Sequence, residues 1–289
     1  MNVEQTLRSV RAAYPDLAIV SVEPGGGQNS DVLLVNGGAL VFRFPRYEHV
    51  LGRMRVEAAV LSGLQGRLPL PVPRPLYVHL EAPVGEAFLG YRCLRGEPLW
   101  RAALKALPRG TVDRLAEQLG RFLRALHGVP YREAIDVPLA RRETRADTAD
   151  LYDRLRQKVC PLMAPAARDR AAAHFESFLG EPSNFAFDPV LRHGDFGASN
   201  ILFDPGAGQV IGIIDWTSTG AGDPAYDLAG LWACYGEGFV RSCARTYPAI
   251  DGLWGRIHHY AGRFALEEAL FGVENGDDEA LRAGLAGFA

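Results

Sequence analysis

Cysteine is scarce. The four in the chain, Cys93, Cys160, Cys234 and Cys243, are scattered with no CxxC spacing, and 289 residues need no disulfide staples to hold a core. No run approaches the roughly 18 apolar residues of a membrane span. The opening MNVEQTLRSVRAAYPDL lacks the apolar stretch of a secretory signal. A protein of the reducing cytoplasm, with no membrane partner, is therefore expected. The formal net charge is only -3, which lacks the basic footprint that nucleic acid requires. There is also no internal repeat and no low-complexity segment. What remains is ordinary globular material, 48% hydrophobic and 22% charged, enough for one large or two moderate domains.

The densest chemistry lies in RHGDFGASNILFDP, residues 192 to 205, followed by VIGIIDW, residues 210 to 216. Asp195 stands five residues before Asn200, and Asp215 closes an apolar run that reads as a strand. This set suits phosphoryl transfer, in which one Asp accepts the proton of a substrate hydroxyl while an Asn and a second Asp hold Mg²⁺ on the phosphates. The plain alternative is an Asx-rich turn followed by a strand-end cap. Protein kinases have the same Asp-to-Asn interval, but here HGD replaces HRD and IDW stands where DFG would be. Glycine in place of arginine removes the usual partner of an activation-loop phosphate. A small-molecule kinase is therefore expected, not a regulated protein kinase.

HGDFGASNILFDP, IIDW and GDPAYDLAGL resemble the aminoglycoside phosphotransferase family, within the wider protein-kinase-like fold. VFRFPR (41–46), LPLPVPRPLYV (68–78) and GYRCLRGEPL (90–99) resemble its 2''-phosphotransferase branch in particular. The resemblance implies an α+β, bilobal architecture. A small β-rich nucleotide-binding lobe with the hinge would span residues 1–95, and a larger, mostly helical catalytic and substrate-binding lobe residues 96–289. It further implies an enzyme, expected as a monomer, that moves the γ-phosphate of ATP or GTP, with Mg²⁺, to a hydroxyl of a polycationic aminoglycoside and so confers antibiotic resistance. Kinases of a macrolide, a sugar or choline share such a fold. A catalytically silent binding module is the reading from a different class.

Residues 3 to 13 place Val3, Leu7, Val10 and Arg11 at helical spacing, and Pro15 stops the helix. IVSVEP, DVLLVN and ALVFRFP, separated by GGGQNS and NGG, read as an antiparallel meander. GGGQNS, Gly25 to Ser30, has neither GxGxxG spacing nor a Walker A pattern. Its position lets backbone N–H groups approach a nucleotide's phosphates, with Ser30 the favoured side-chain contact; an ordinary glycine-rich hairpin turn is the alternative. Arg43 stands where the resemblance places the lysine that grips the α- and β-phosphates, and Glu57, in RVEAAVLSGL, stands as its partner. The alternatives are a solvent-facing strand arginine and a Glu57–Arg53 pair one turn apart. LPLPVPRP reads as an extended connector, after which YVHLE and AFLGYRCL complete the sheet. Tyr91, Cys93 and Leu94 mark the hinge, where backbone groups are expected to meet the base and side-chain identity to say little, and Gly96 marks the crossing.

TVDRLAEQLGRFLRALHGV reads as a core helix, with His127 capping its C-terminus. ADTADLYDRLRQKVCPLM and PAARDRAAAHFESFLG follow as helices whose charges form a solvated face. In DPAYDLAGLWACYG, Asp223 sits at the N-cap and Pro224 at N1. Asp227 complements the helix dipole there, and by resemblance both it and His193 brace the catalytic loop. From Gly220 onward ten acidic residues face five basic ones, and six acids lie between Glu267 and Glu279 without a Lys or Arg. Glu237, Glu267 and Glu268 are expected to form, with Asp195, an acidic pocket for an antibiotic's amino groups. A solvated acidic helix end is the alternative.

Overall fold

The alternation in SDVLLV and LVFRFP sends Leu33, Val35, Leu40, Phe42 and Phe44 to one face of a sheet, where all are buried with Val10 and Phe88. The computed structural model of the chain describes residues 3–27 and 29–288. Within it, α1 (Val3–Ala13) covers that face through Val10, and β1 (Val22–Gly25), β2 (Ser30–Val35) and β3 (Leu40–Pro45) run antiparallel. Opposite faces follow from the period of two. Val32, Val41 and Arg43 therefore share the other side, which lines a cavity.

α2 (Glu48–Gly63) follows, then the extended proline-rich connector, then β4 (Tyr77–His79) and β5 (Phe88–Arg92), giving a five-stranded sheet in the order β1-β2-β3-β5-β4. The connector has a partner after all, because the Pro71 carbonyl accepts from the Ile213 N–H at 3.0 Å.

Beyond Gly96 the chain is mostly helical. β6 (Glu97–Pro98) pairs with β8 (Ile201–Asp204), which pairs with β9 (Gln209–Ile213), while β7 (Val190–Arg192) pairs with β10 (Gly220–Gly222). The helices are α3 (Arg101–Ala106), α4 (Arg109–His127), α5 (Tyr131–Ala134), α6 (Arg145–Lys158), α7 (Pro165–Gly180), α8 (Pro224–Tyr235), α9 (Glu237–Cys243), α10 (Trp254–Asn275) and α11 (Asp278–Phe288). The apolar stripe of α4, Leu115, Leu119, Phe122, Leu123 and Leu126, is wholly buried against α8, α9 and the short strands. A second core joins α6, α7 and α10 through Tyr152, Leu155, Phe175, Leu266 and Leu270. No helix among the described residues is long and apolar enough to cross a membrane.

Two acids of the run after residue 267 have structural roles. Glu274 accepts from Arg154 and from Lys158 at 2.7 Å, both on α6. The charges of α6, expected as a solvated face, are thus partly spent on tying α6 to α10. Asp277 accepts from the N–H groups of Glu279 and Ala280 and so starts α11, just after Gly276, left-handed at φ 69°, ends α10.

Between α7 and α10, the His259 ring is sandwiched by Phe178 at 3.6 Å and His174 at 4.5 Å between centroids. Neither of its nitrogens has a partner among the described residues. Burial, with His174 and Arg263 close by, pushes its pKa down to about 2. The unfolded chain then binds a proton that the native protein refuses, so this contribution to stability is full above the ordinary histidine pKa and fades as pH falls. From pH 7 to 5 the loss is about 2 kcal/mol. Urea midpoints at both pH values should show it, and His259→Phe should shrink the pH dependence by that amount; identical pH dependence in the variant would rule the sandwich out as its source.

Candidate active site

β7 delivers the chain to His193, and the loop that follows is held from beneath. Asp227, fully buried in the first turn of α8, accepts from the N–H groups of His193 and Gly194 at 2.8 Å each and faces His127 Nε2 at 3.2 Å. Burial opposes the Asp227 charge, but His127's bond and charge, with His193 and Arg192 nearby, hold its pKa below the usual carboxylate value. The expected cap at His127 is corrected here. Its ring is buried and bridges Asp227 and the Tyr247 hydroxyl, the latter at 3.0 Å, because the last turn of α4 faces α8 instead of solvent.

Gly194 has φ 85°, and a Cβ there would fall 2.2 Å from the Ser218 carbonyl. HGD therefore needs its glycine for backbone reasons.

His193 is committed at both ring nitrogens. Nε2 donates to the Ile214 carbonyl at 3.0 Å, and Nδ1 accepts from the Asp195 N–H at 3.2 Å. Burial lowers its pKa. It ties the loop to the segment before Asp215. Asp195 itself is exposed; its Oδ2 and its main-chain oxygen both accept from Asn200 Nδ2 at 2.9 Å. Oδ1 has no partner among the described residues.

A four-residue node forms on the facing side. Arg43 Nη1 donates to Glu57 Oε1 at 2.7 Å, and Nη2 donates to Thr217 Oγ1 at 2.8 Å and lies 3.8 Å from Asp215 Oδ1. Thr217 Oγ1 also sits 2.7 Å from Asp215 Oδ1 and 3.2 Å from Glu57 Oε2. Burial disfavours the Arg43 charge, yet Glu57 and Asp215 outweigh it and raise its pKa. For Asp215, burial is likewise outweighed by Arg43 and Thr217, which keep the carboxylate ionised. Asp215 also holds φ 59°, an unusual conformation for a residue with a Cβ and one that clusters at functional sites. Trp216, completely buried beside His193 and Phe122, anchors the turn.

Around the node lies a cavity of about 600 Å³, lined among others by Ser30, Arg43, Tyr91, Cys93, Leu94, Asp195, Asn200 and Asp215. Gly26, Gly27 and Asn29 of the glycine-rich turn also line it; Gln28 lies outside the described residues. The Ser30 hydroxyl is buried with no partner among the described residues, as a group awaiting a ligand would be. Glu57 stands behind the wall, 1% exposed. A smaller cavity of about 270 Å³ adjoins it, with Asp195, Tyr226, Cys234, Phe264 and Glu267 in its walls. Of the residues named for the two cavities, Asp195 alone lines both.

The sequence profile of the phosphotransferase enzyme family, APH, matches residues 21–261. The chain belongs to this family. It is an enzyme that transfers a phosphoryl group to an alcohol, in the kinase-like antibiotic phosphotransferase group. It is 30% identical to the viomycin phosphotransferase of Streptomyces vinaceus over 260 residues, 88% of each chain. Its fold superposes with TM-score 0.88 on the GDP and kanamycin complex of the aminoglycoside phosphotransferase APH(2'')-IIIa, at 28% identity, covering 98% of this chain and 96% of that one. A type I macrolide 2'-phosphotransferase is similar at TM-score 0.75 and 26% identity, with 100% and 98% covered.

For a member of this family, the placement of the acidic residues is informative. Glu267 reaches the small cavity, paired with Arg263 at 2.6 Å. The expected acidic pocket does not otherwise assemble: Glu237 is bound by Arg241 on its own helix at 2.8 Å, Glu268 is exposed, and neither lines a cavity with Asp195. The hinge also differs from expectation. The Tyr91 phenol sits against Arg43, and burial pushes its pKa up to about 12. The Cys93 N–H is taken by the Ala39 carbonyl at 3.0 Å, whereas that of Leu94 has no partner among the described residues. Thr217 and Tyr226 were missed in the sequence. Only Thr217 carried a signal, as a hydroxyl residue two places after an Asp.

Proposed function

We propose that this phosphotransferase moves the γ-phosphoryl group of ATP or GTP to a hydroxyl of an amino-bearing antibiotic, with an aminoglycoside as the leading class. The observation that carries the reading is the place of Asp195, which lines both the larger cavity, rich in phosphate-binding groups, and the smaller one, with an Oδ1 that has no partner among the described residues. In it, residues 1–95 form the nucleotide lobe and 96–289 the acceptor lobe. Asp195 accepts the hydroxyl proton as the oxygen attacks, Arg43 and Ser30 hold phosphate oxygens, Glu57 and Tyr91 orient Arg43, and the Leu94 N–H takes the base. Relatives bound to GDP and to ADP support a purine nucleotide.

The donor set fits Mg²⁺. Asp215 is kept ionised, and Asn200, whose Nδ2 is committed to Asp195, has its Oδ1 left over. Mg²⁺ characteristically takes one or two protein oxygens and completes its shell with phosphates and water. Bound there, it supplies charge neutralisation to the phosphates.

Glu267 meets an acceptor amino group. Glu267→Gln should raise the acceptor KM about 10-fold and flatten its salt dependence, with kcat little changed. Steady-state kinetics with kanamycin at two ionic strengths check this. The aromatic wall of Tyr226 and Phe264 favours, as the second reading, a less charged acceptor such as a macrolide. Turnover of a macrolide and of no aminoglycoside would replace the first reading with the second.

A further inference from the structure

The nucleotide cavity opens into a third cavity, about 640 Å³, between α2, α6 and α10. Most of its charged groups are consumed internally. Glu143 holds Arg192 at 2.9 Å, Arg263 holds Glu267, Arg154 holds Glu274, and Asp147 closes the cap of α6 on Thr144. Arg53 is different. Among the described residues its guanidinium has no hydrogen bond, ion pair or ring contact, because Glu57, one turn further along α2, points inward to Arg43. With Thr217 and Ser218, it lines both this cavity and the nucleotide cavity. Among the described residues Arg142 also lacks a side-chain partner, but it lines the third cavity and not the nucleotide cavity.

This guanidinium, unpaired among the described residues and one helical turn from the ion pair that orients Arg43, lines the same cavity as Asp195, Asn200 and Asp215. We propose that Arg53 is a further catalytic residue, a cation that grips the γ-phosphoryl group of the donor and stays on it through transfer. Resting on the phosphate placement given above, this adds a contact from α2. In the step, the bond from the γ-phosphorus to the β-bridging oxygen breaks and its electron pair leaves with the nucleoside diphosphate. The bond to the acceptor oxygen forms, and the acceptor proton passes to Asp195. Arg53 exchanges no proton; its planar fork matches two phosphoryl oxygens as charge shifts among them. Arginines that stabilise charge at this point of phosphoryl transfer are strongly rate-enhancing.

The test compares Arg53→Ala, Arg53→Lys and Arg53→Gln with Arg142→Ala as control, all in the full chain. Calorimetry measures binding of the β,γ-imido analogue of the preferred triphosphate against the diphosphate, and needs no acceptor. Arg53→Ala and Arg53→Gln should lose about 10-fold in analogue affinity with diphosphate affinity unchanged, Arg53→Lys should retain part of it, and Arg142→Ala should match wild type. The kcat should fall in the same order, with acceptor KM and thermal midpoint unchanged. Equal loss for analogue and diphosphate, an effect on acceptor KM alone, or an equal loss in Arg142→Ala would overturn the assignment. Failure to phosphorylate aminoglycosides would sink the substrate reading while leaving the calorimetric result to decide on Arg53.

Discussion

Asp195→Asn should lower kcat about 10²- to 10⁴-fold, the range for loss of a general base, while nucleotide affinity stays close to wild type. The geometry makes this a clean substitution. The asparagine keeps a side-chain oxygen to accept from Asn200, as Asp195 Oδ2 does at 2.9 Å. The main-chain bonds to Asn200 and to His193 do not depend on the side chain. What disappears is the carboxylate charge of a residue that lines both cavities, and with it the proposed site for the acceptor proton. Single-turnover kinetics with saturating nucleotide and acceptor isolate the chemical step. More than about half of the wild-type rate there would remove the base role from Asp195.

The second large effect is expected from Asp227→Ala, and it falls first on stability. The substitution strips the acceptor from the His193 and Gly194 N–H groups and from His127, all in a place where the carboxylate is fully buried. Orphaned buried donors cost about 1 to 3 kcal/mol each, so about 3 to 5 kcal/mol is expected, a large part of the roughly 5 to 15 kcal/mol that holds a domain together. Because the folded pKa of Asp227 is depressed, its contribution is full above the ordinary aspartate pKa of ~3.9 and is lost as pH falls through the folded value. Guanidinium unfolding at pH 7 checks the magnitude. A loss below about 1 kcal/mol, with activity intact, would mean that His193 and Asn200 hold the loop by themselves.

These residues also show how far the sequence was legible. The meander, the stripe of α4 and the Asp223–Pro224 start of α8 were readable because each depends on spacing or capping within a few residues. Asp195, Asn200 and Asp215 could be picked out by type and interval, and the fold brings all three to one cavity; their roles are those proposed above. The partners of charges were not. Glu237 and Glu267 look alike in an acidic count, yet one is neutralised by Arg241 on the surface and the other is drawn to the small cavity with Arg263. His127 and Asp227 are 100 residues apart in sequence, and no local pattern relates them. α10 and α11 were obscured because the acids that drew notice lie on helices whose apolar faces meet α6 and α7.

The fork of Arg43 has one further consequence. Because its two terminal nitrogens reach Glu57 and Thr217 separately, the position binds two elements that a single ammonium would serve less well. The arginine and Thr217 are then epistatic. Replacing the arginine by lysine would give up one of its two contacts, so the effect of that change is expected to depend on the residue at 217.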